Sequence, residues 1–273
     1  MMSMTLLICL ALVAIFLHSR LSKRGAKRIN MITLEDIHGL LAGADMSLEG
    51  HLTSRAIPNE RLKRVFKLSN TFVNDDIQVH SHFTTTAKSL ISSSGRGWIL
   101  LIEAARSAVE EYIPRLRFIA ALSERDHNFD IVIRMVTFRV ILVALMDVDP
   151  SQLDTGEVEK ATHLINTLWT KSKLTTAVSP HLLQDLNASL CRWIPHVPNP
   201  LDFIIPAYET MWRVIAVTVA LTHWDDDVRK VFAEFVQTPT SDQFRRWPEK
   251  GPSADAVIRE ALRLYPPTRH ISR

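Results

Sequence analysis

Cysteine is nearly absent from this chain of 273 residues. The two present, Cys9 and Cys191, exclude a disulfide framework and a multi-cysteine zinc site. Glycine (8) and proline (13) are too sparse for a collagen-like or linker-rich architecture. Aromatic residues make up 7% and form no repeat. There is no glycine-rich phosphate loop and no Gly-x-Ser-x-Gly elbow. Alternating, strand-like runs are almost missing, so helical periodicity is the dominant signal. What is present is 47% hydrophobic and 22% charged residues, a composition that folds rather than stays disordered and can bury a sizeable core.

Excess positive charge is also missing from the body. The net charge is +3, yet five of the 32 basic residues (Arg20, Lys23, Arg24, Lys27 and Arg28) crowd into residues 1–28, where no acid occurs. The 27 that remain face 29 acidic residues, so residues 29–273 sum to −2. A nucleic-acid binder would carry its positive charge on the folded body, so no nucleic-acid partner is expected. Residues 1–19 contain no Lys, Arg, Asp or Glu, and the stretch from Leu6 to Leu17 is almost wholly apolar. That length lies at the short edge of what spans ~30 Å of hydrocarbon. The basic cluster follows the apolar run instead of preceding it, the reverse of a cleavable leader. The expectation is therefore residues 1–28 as a single-pass membrane signal anchor with a basic stop, and residues 29–273 on the cytosolic face. That placement makes Asn187-Ala188-Ser189 a poor glycosylation site and Cys191 a reduced, buried thiol.

Several helices can be read along the body. Glu60 to Leu68 forms a short amphipathic one. Ser92 to Gly97 breaks the chain before a long helix from Trp98 to about Ser123, kinked or split by Pro114. Phe129 to Asp147 is very apolar, but Arg134 and Arg139 inside it would each cost roughly 2.5–3.5 kcal/mol in a membrane, so a buried central helix is expected. Surface helices follow at Glu157–Lys173 and His181–Trp193. Three prolines make 194–200 a loop, and a long apolar helix runs from Phe203 to Thr222. Asp225-Asp226-Asp227 opens the helix that reaches Gln237, where acids favour the N-terminal dipole. A last helix, Ala254 to Leu264, ends at Pro266-Pro267. The fold class is mainly α, with no convincing internal boundary.

Most possible sites have plain structural explanations. His80-x-His82 lacks a third ligand nearby. The three aspartates lack the further acid that the magnesium motif of all-α terpene cyclases requires, because Arg229 follows Val228. Two places resist such readings. In Pro206-Ala207-Tyr208-Glu209-Thr210, an acid and a hydroxyl sit inside an apolar helix beside a proline that removes a backbone donor. A distorted helix with a buried acid–alcohol pair suits proton delivery; an exposed pair on a surface face is the alternative. The second is Glu260-x-x-Arg263 followed by Leu264-Tyr265-Pro266-Pro267-Thr268-Arg269. An i,i+3 pair alone is usually a surface bridge of little worth.

With its Leu-Tyr-Pro-Pro continuation, the second segment resembles the helix K signature of the cytochrome P-450 family. Pro206 to Thr210 resembles the oxygen-activating segment of that family's helix I, in a variant seen in fungal members. Ile57 to Phe66 and the later His80 resemble the run leading into helix C, so the likeness covers about residues 57–273 in consistent order. It implies a mainly α fold consisting of an N-terminal transmembrane anchor plus an incomplete P-450-like helical domain that ends just after helix K. It also implies haem b and a monooxygenase of secondary metabolism that oxidises a lipophilic small molecule at the endoplasmic reticulum, with electrons from a cytochrome reductase. Glu209 and Thr210 would relay protons. Glu260 and Arg263 would hold the core that supports the haem-binding loop, so that loss of Glu260 unfolds the body. His80 and Arg273 would pair with haem propionates. The family's haem ligand is a cysteine thiolate in a loop well after helix K. Neither Cys9 nor Cys191 lies in such a loop, so as written the chain is expected to be inactive as an oxygenase. The alternative is a non-catalytic, membrane-bound P-450-like scaffold or ligand-binding partner.

Overall fold

The computed structural model describes residues 33, 46–93, 97–122, 129–174 and 176–266. The chain divides into two units, Met1–Met46 and Ser47–Arg273, and nearly everything described belongs to the second. The expected anchor (1–28), Cys9, Pro267, Thr268, Arg269 and Arg273 lie outside the described residues. The second unit is mainly helical, with no strand among the described residues.

Helix α1, Leu48–Phe66, begins well before the expected Glu60. The Ser47 hydroxyl caps it by accepting from the Gly50 amide at 3.1 Å. Pro58 removes one backbone bond without ending the helix, because Leu52 before it and Leu62, Val65 and Phe66 after it are buried. Lys67 closes α1 in the left-handed region, at φ 55°. Helix α2, Ile77–Ser93, forms where the sequence reading marks no element, and packs through Phe83 against Phe72 and Phe203. Helix α3, Gly97–Leu122, runs on through Pro114 unsplit.

Helix α4, Phe129–Val140, continues into a π-helical turn at Ile141–Leu145. It is the buried central helix that the two arginines suggest. Arg134 pairs with Asp130 one turn back, and Arg139 reaches Glu111 on α3, whose other oxygen accepts from the Thr155 hydroxyl. Both guanidiniums are thus buried with a partner, the condition under which burial is tolerated. The π turn keeps Ile141 and Leu142 fully buried, and the Val148 amide donates to the Leu142 carbonyl at 3.0 Å.

Helix α5 (Thr155–Ser172) packs on α1, α4 and α6 (Pro180–Trp193). Neither α5 nor α6 is merely superficial: Val158, Ile165, Leu168, Leu186 and Leu190 belong to the core. Cys191 on α6 is exposed, not buried as expected, because the apolar stripe of α6 runs through Leu186, Leu190 and Trp193 and leaves position 191 outside it.

Helix α7 (Leu201–Thr222) crosses α4 and buries Leu201, Ile204, Ile205 and Tyr208. It is long and apolar enough to cross a membrane by length and composition alone, but its first half is part of the core. Helices α8 (Asp226–Gln237), α9 (Ser241–Arg245) and α10 (Ala254–Leu264) form a layer in which α10 packs on the other two and on α7. Asp225 caps α8 as its position suggests, accepting from Val228 at 3.1 Å. Trp98 at the start of α3 stacks on Phe244 at 5.2 Å and meets Phe235 edge-on at 5.1 Å.

The start of α7 is fastened to the loop after α1. The Asp202 carboxylate accepts from the Ser69 amide (2.8 Å), the Asn70 amide (3.1 Å) and the Ser69 hydroxyl (2.6 Å). The proline at 206 has no amide to offer the Asp202 carbonyl four residues back. The Asn70 side-chain amide takes that role, donating to the Asp202 carbonyl at 2.6 Å. Hence α7 passes Pro206 without a break in its helical run.

Candidate functional site

Glu209 is the most buried acid on α7. An apolar helix places it inward because it shares a face with Ile205 and Tyr208, and only 6% of its side chain is exposed. Arg213, one turn on, donates to the Glu209 carboxylate at 2.6 Å and to its carbonyl at 3.0 Å. Burial pushes the Glu209 carboxyl above its ordinary 4.5; the Arg213 guanidinium, and more weakly Trp212 and Lys173, pull the other way. Next to it the fully buried Tyr208 hydroxyl has no hydrogen-bond partner among the described residues. Its pKa is raised, mainly by burial and further by the Glu209 charge.

A ladder of guanidinium and indole groups surrounds this acid. The Arg61 guanidinium of α1 lies 4.6 Å from the ring centre of Trp169 on α5. Arg213 lies 5.8 Å from the same ring and 4.5 Å from Trp212. Arg134 of α4 reaches Trp212 at 5.6 Å. Each such contact is worth about 0.5–1 kcal/mol where exposed and more when desolvated. The ladder therefore ties four helices around one carboxylate. Arg61 also donates to the Ser172 hydroxyl at 2.5 Å. Its pKa is lowered, first by burial and then by Arg213, while Glu209 raises it. The Glu209–Arg213 spacing is legible in the sequence. Arg61 and Trp169, from distant segments, are not.

The remaining expected site residues do not gather here. Thr210 is exposed, so the buried acid–alcohol pair is corrected to a buried acid beside a surface hydroxyl. At about 100° per residue Tyr208 and Glu209 fall on either side of the Ile205 direction, while Thr210 turns away from that buried face. Glu260 and Arg263 do pair, at 2.6 and 2.7 Å in a two-pronged contact. Their side chains are 54% and 67% exposed, so the expectation of a buried pair holding the core is also corrected. The buried stripe of α10 is Ala254, Val257 and Ala261, and positions 260 and 263 fall off it. Arg263 holds the Glu260 carboxyl below its usual range. His80 sits half-buried on α2, separated by a loop from the Ile57–Phe66 run in α1. Its Nδ1 lies 3.0 Å from the Thr71 hydroxyl, which also accepts from Arg55.

The haem-thiolate ligand set does not fit the described residues. Cys191 projects from the surface of α6, with no loop to cradle an iron. His80 is engaged inside the protein, and Glu209 already has a cationic partner. Among the described residues, no group of three or more His, Cys, Asp or Glu could hold a metal ion. No family model, no curated protein and no solved structure matches the chain.

Proposed function

We propose that the chain belongs to a P-450-like, haem-thiolate monooxygenase class of fungal-type secondary metabolism that oxidises a lipophilic small molecule. The observation that carries the reading is the sequence run Glu260-x-x-Arg263-Leu264-Tyr265-Pro266-Pro267-Thr268-Arg269; the Glu260–Arg263 pair itself is exposed and adds no structural support. The Pro206–Thr210 segment supports it by lying on a long apolar helix with its acid turned inward. In full-length proteins of this kind, haem b activates oxygen for attack on a lipophilic small molecule, with a cytochrome reductase as electron source. Among the described residues, Cys191 is exposed on a helix and sits in no loop that could supply the thiolate.

The reading of a non-catalytic scaffold that binds a ligand or partner at the membrane is favoured by one observation. Glu209, the residue placed to move protons, is locked to Arg213 and part of a cation–indole ladder. Sequencing the transcript past the codon for Arg273 tests the family reading. An in-frame continuation into a glycine-containing loop with a cysteine supports it, whereas an in-frame continuation of unrelated composition contradicts it. A stop codon at that point leaves the scaffold form as the gene product.

A further inference from the structure

We propose that Ser69, in the loop between α1 and α2, is a phosphorylation site, and that a phosphate there releases the start of α7 from that loop. The inference does not depend on the P-450-like reading.

Residues 67–76 form the loop that joins α1 to α2. Leu68 (3%) and Asn70 (4%) are buried there, and Ser69 between them is exposed. Its hydroxyl donates to one oxygen of the Asp202 carboxylate at 2.6 Å and its amide to the other at 2.8 Å. The approach to this hydroxyl along the chain is strongly cationic. Arg61, Lys63, Arg64 and Lys67 precede it, and no acid occurs between Glu60 and Asp75. Lys63, Arg64 and Lys67 are all exposed. Serine/threonine kinases choose substrates by such charge patterns, and this one fits a kinase directed at basic sequences.

In the modifying step the Ser69 Oγ bonds to the γ-phosphorus of ATP and the bond from that phosphorus to the β–γ bridging oxygen breaks. ADP leaves, and the hydroxyl proton passes to the base of the kinase. The product carries about −1.5 to −2 charges at neutral pH, placed where the hydroxyl now meets a carboxylate. A donor to Asp202 thus becomes an anion that repels it. The groups at hand do not offset this. In the first turn of α7 the Asp202 and Phe203 amides already bond to the Asn199 and Pro200 carbonyls at 3.1 and 3.2 Å, and Lys67 brings a single positive charge. Asp202 and the loop therefore part. The Asn70 side chain, which donates to the Asp202 carbonyl at 2.6 Å, withdraws with the loop, and α7 loses the partner that carries it past Pro206.

The test incubates the full chain, in neutral detergent micelles, with magnesium, ATP and a serine/threonine kinase directed at basic sequences, and maps the product by mass spectrometry. The expected result is phosphate on Ser69, incorporated several-fold faster in Asp202→Asn, whose loop opens more readily. The phosphorylated protein should melt roughly 3–10 °C below the unmodified one, the shift for losing a charge-assisted hydrogen-bond cluster in a body of this length. A second arm reads the consequence without a kinase. Ser69→Glu should melt well below Ser69→Ala, and the difference should largely vanish beside Asp202→Asn, where no anion faces the new charge. If Ser69→Glu does not fold, recovery of the fold in Ser69→Glu/Asp202→Asn gives the same result. No phosphate on Ser69 overturns the modification site. A phosphorylated protein with an unchanged midpoint, or a Ser69→Glu cost that persists in full beside Asp202→Asn, overturns the release of α7.

Discussion

Asn70→Ala offers a sharp probe of how α7 passes Pro206. The side chain of Asn70, 4% exposed, does two things at once. Its amide donates to the Asp202 carbonyl at 2.6 Å, and its oxygen accepts from the Phe72 amide at 2.9 Å. Truncation leaves a carbonyl and an amide without partners. Each orphaned group costs about 1–3 kcal/mol; because both are only partly shielded from water, a combined loss of about 2–4 kcal/mol is expected. Pro206→Ala in the same background should recover part of it, since an alanine amide can bond the Asp202 carbonyl within the helix. Adding an amide where Asn70 already serves the carbonyl gains less, so the two substitutions must be coupled, by about 1 kcal/mol. Urea denaturation of parent, both single variants and the double variant measures this directly. Strict additivity, or an Asn70→Ala midpoint equal to the parent's, would refute the claim that the side chain stands in for the missing amide.

Other consequences follow from the same geometry. Glu209 carries a raised pKa, so the native state holds its proton more tightly than the unfolded state does. Its contribution is therefore fully favourable below the ordinary 4.5 and is lost as pH rises from there through the raised native value; Glu209→Gln should flatten that segment of a stability–pH curve, and an unchanged slope would count against it. Glu260→Ala should melt at nearly the parent's temperature, because the pair it breaks is exposed; collapse of the fold on this substitution would restore the buried-pair reading. Cys191 should be labelled by a maleimide in the folded protein because it is exposed, whereas labelling only after denaturation would contradict its exposure.

Local signals account for most of what could be read in advance. Helix α10 begins and ends where Ser253 and Pro266 place it, and Asp225 caps α8, because caps and stops act over a few residues. The burial of α4 was legible because Arg134 and Arg139 make a membrane site costly, though their partners Asp130 and Glu111 come from tertiary packing. The first half of α1 was missed since Leu52 is its single buried apolar anchor before Pro58. Helix α2 is hard to read in advance because none of its described side chains is fully buried. At the candidate site, Glu209 stood out as an acid in an apolar run. Its separation from Thr210 is helical geometry, which a stricter count of the face shared by Ile205, Tyr208 and Glu209 would have predicted. The ladder through Arg61 and Trp169 depends on α1 meeting α5 across more than a hundred residues, and no local pattern encodes that.

The proposed P-450-like reading, in which Cys191 is not a haem ligand, is tested most directly by purifying the full chain from cells supplied with a haem precursor. Haem content and the carbon monoxide difference spectrum of the reduced protein are then measured. The account predicts folded, helical protein with far less than stoichiometric haem and no thiolate-type band. Stoichiometric haem with a thiolate-type spectrum would contradict it.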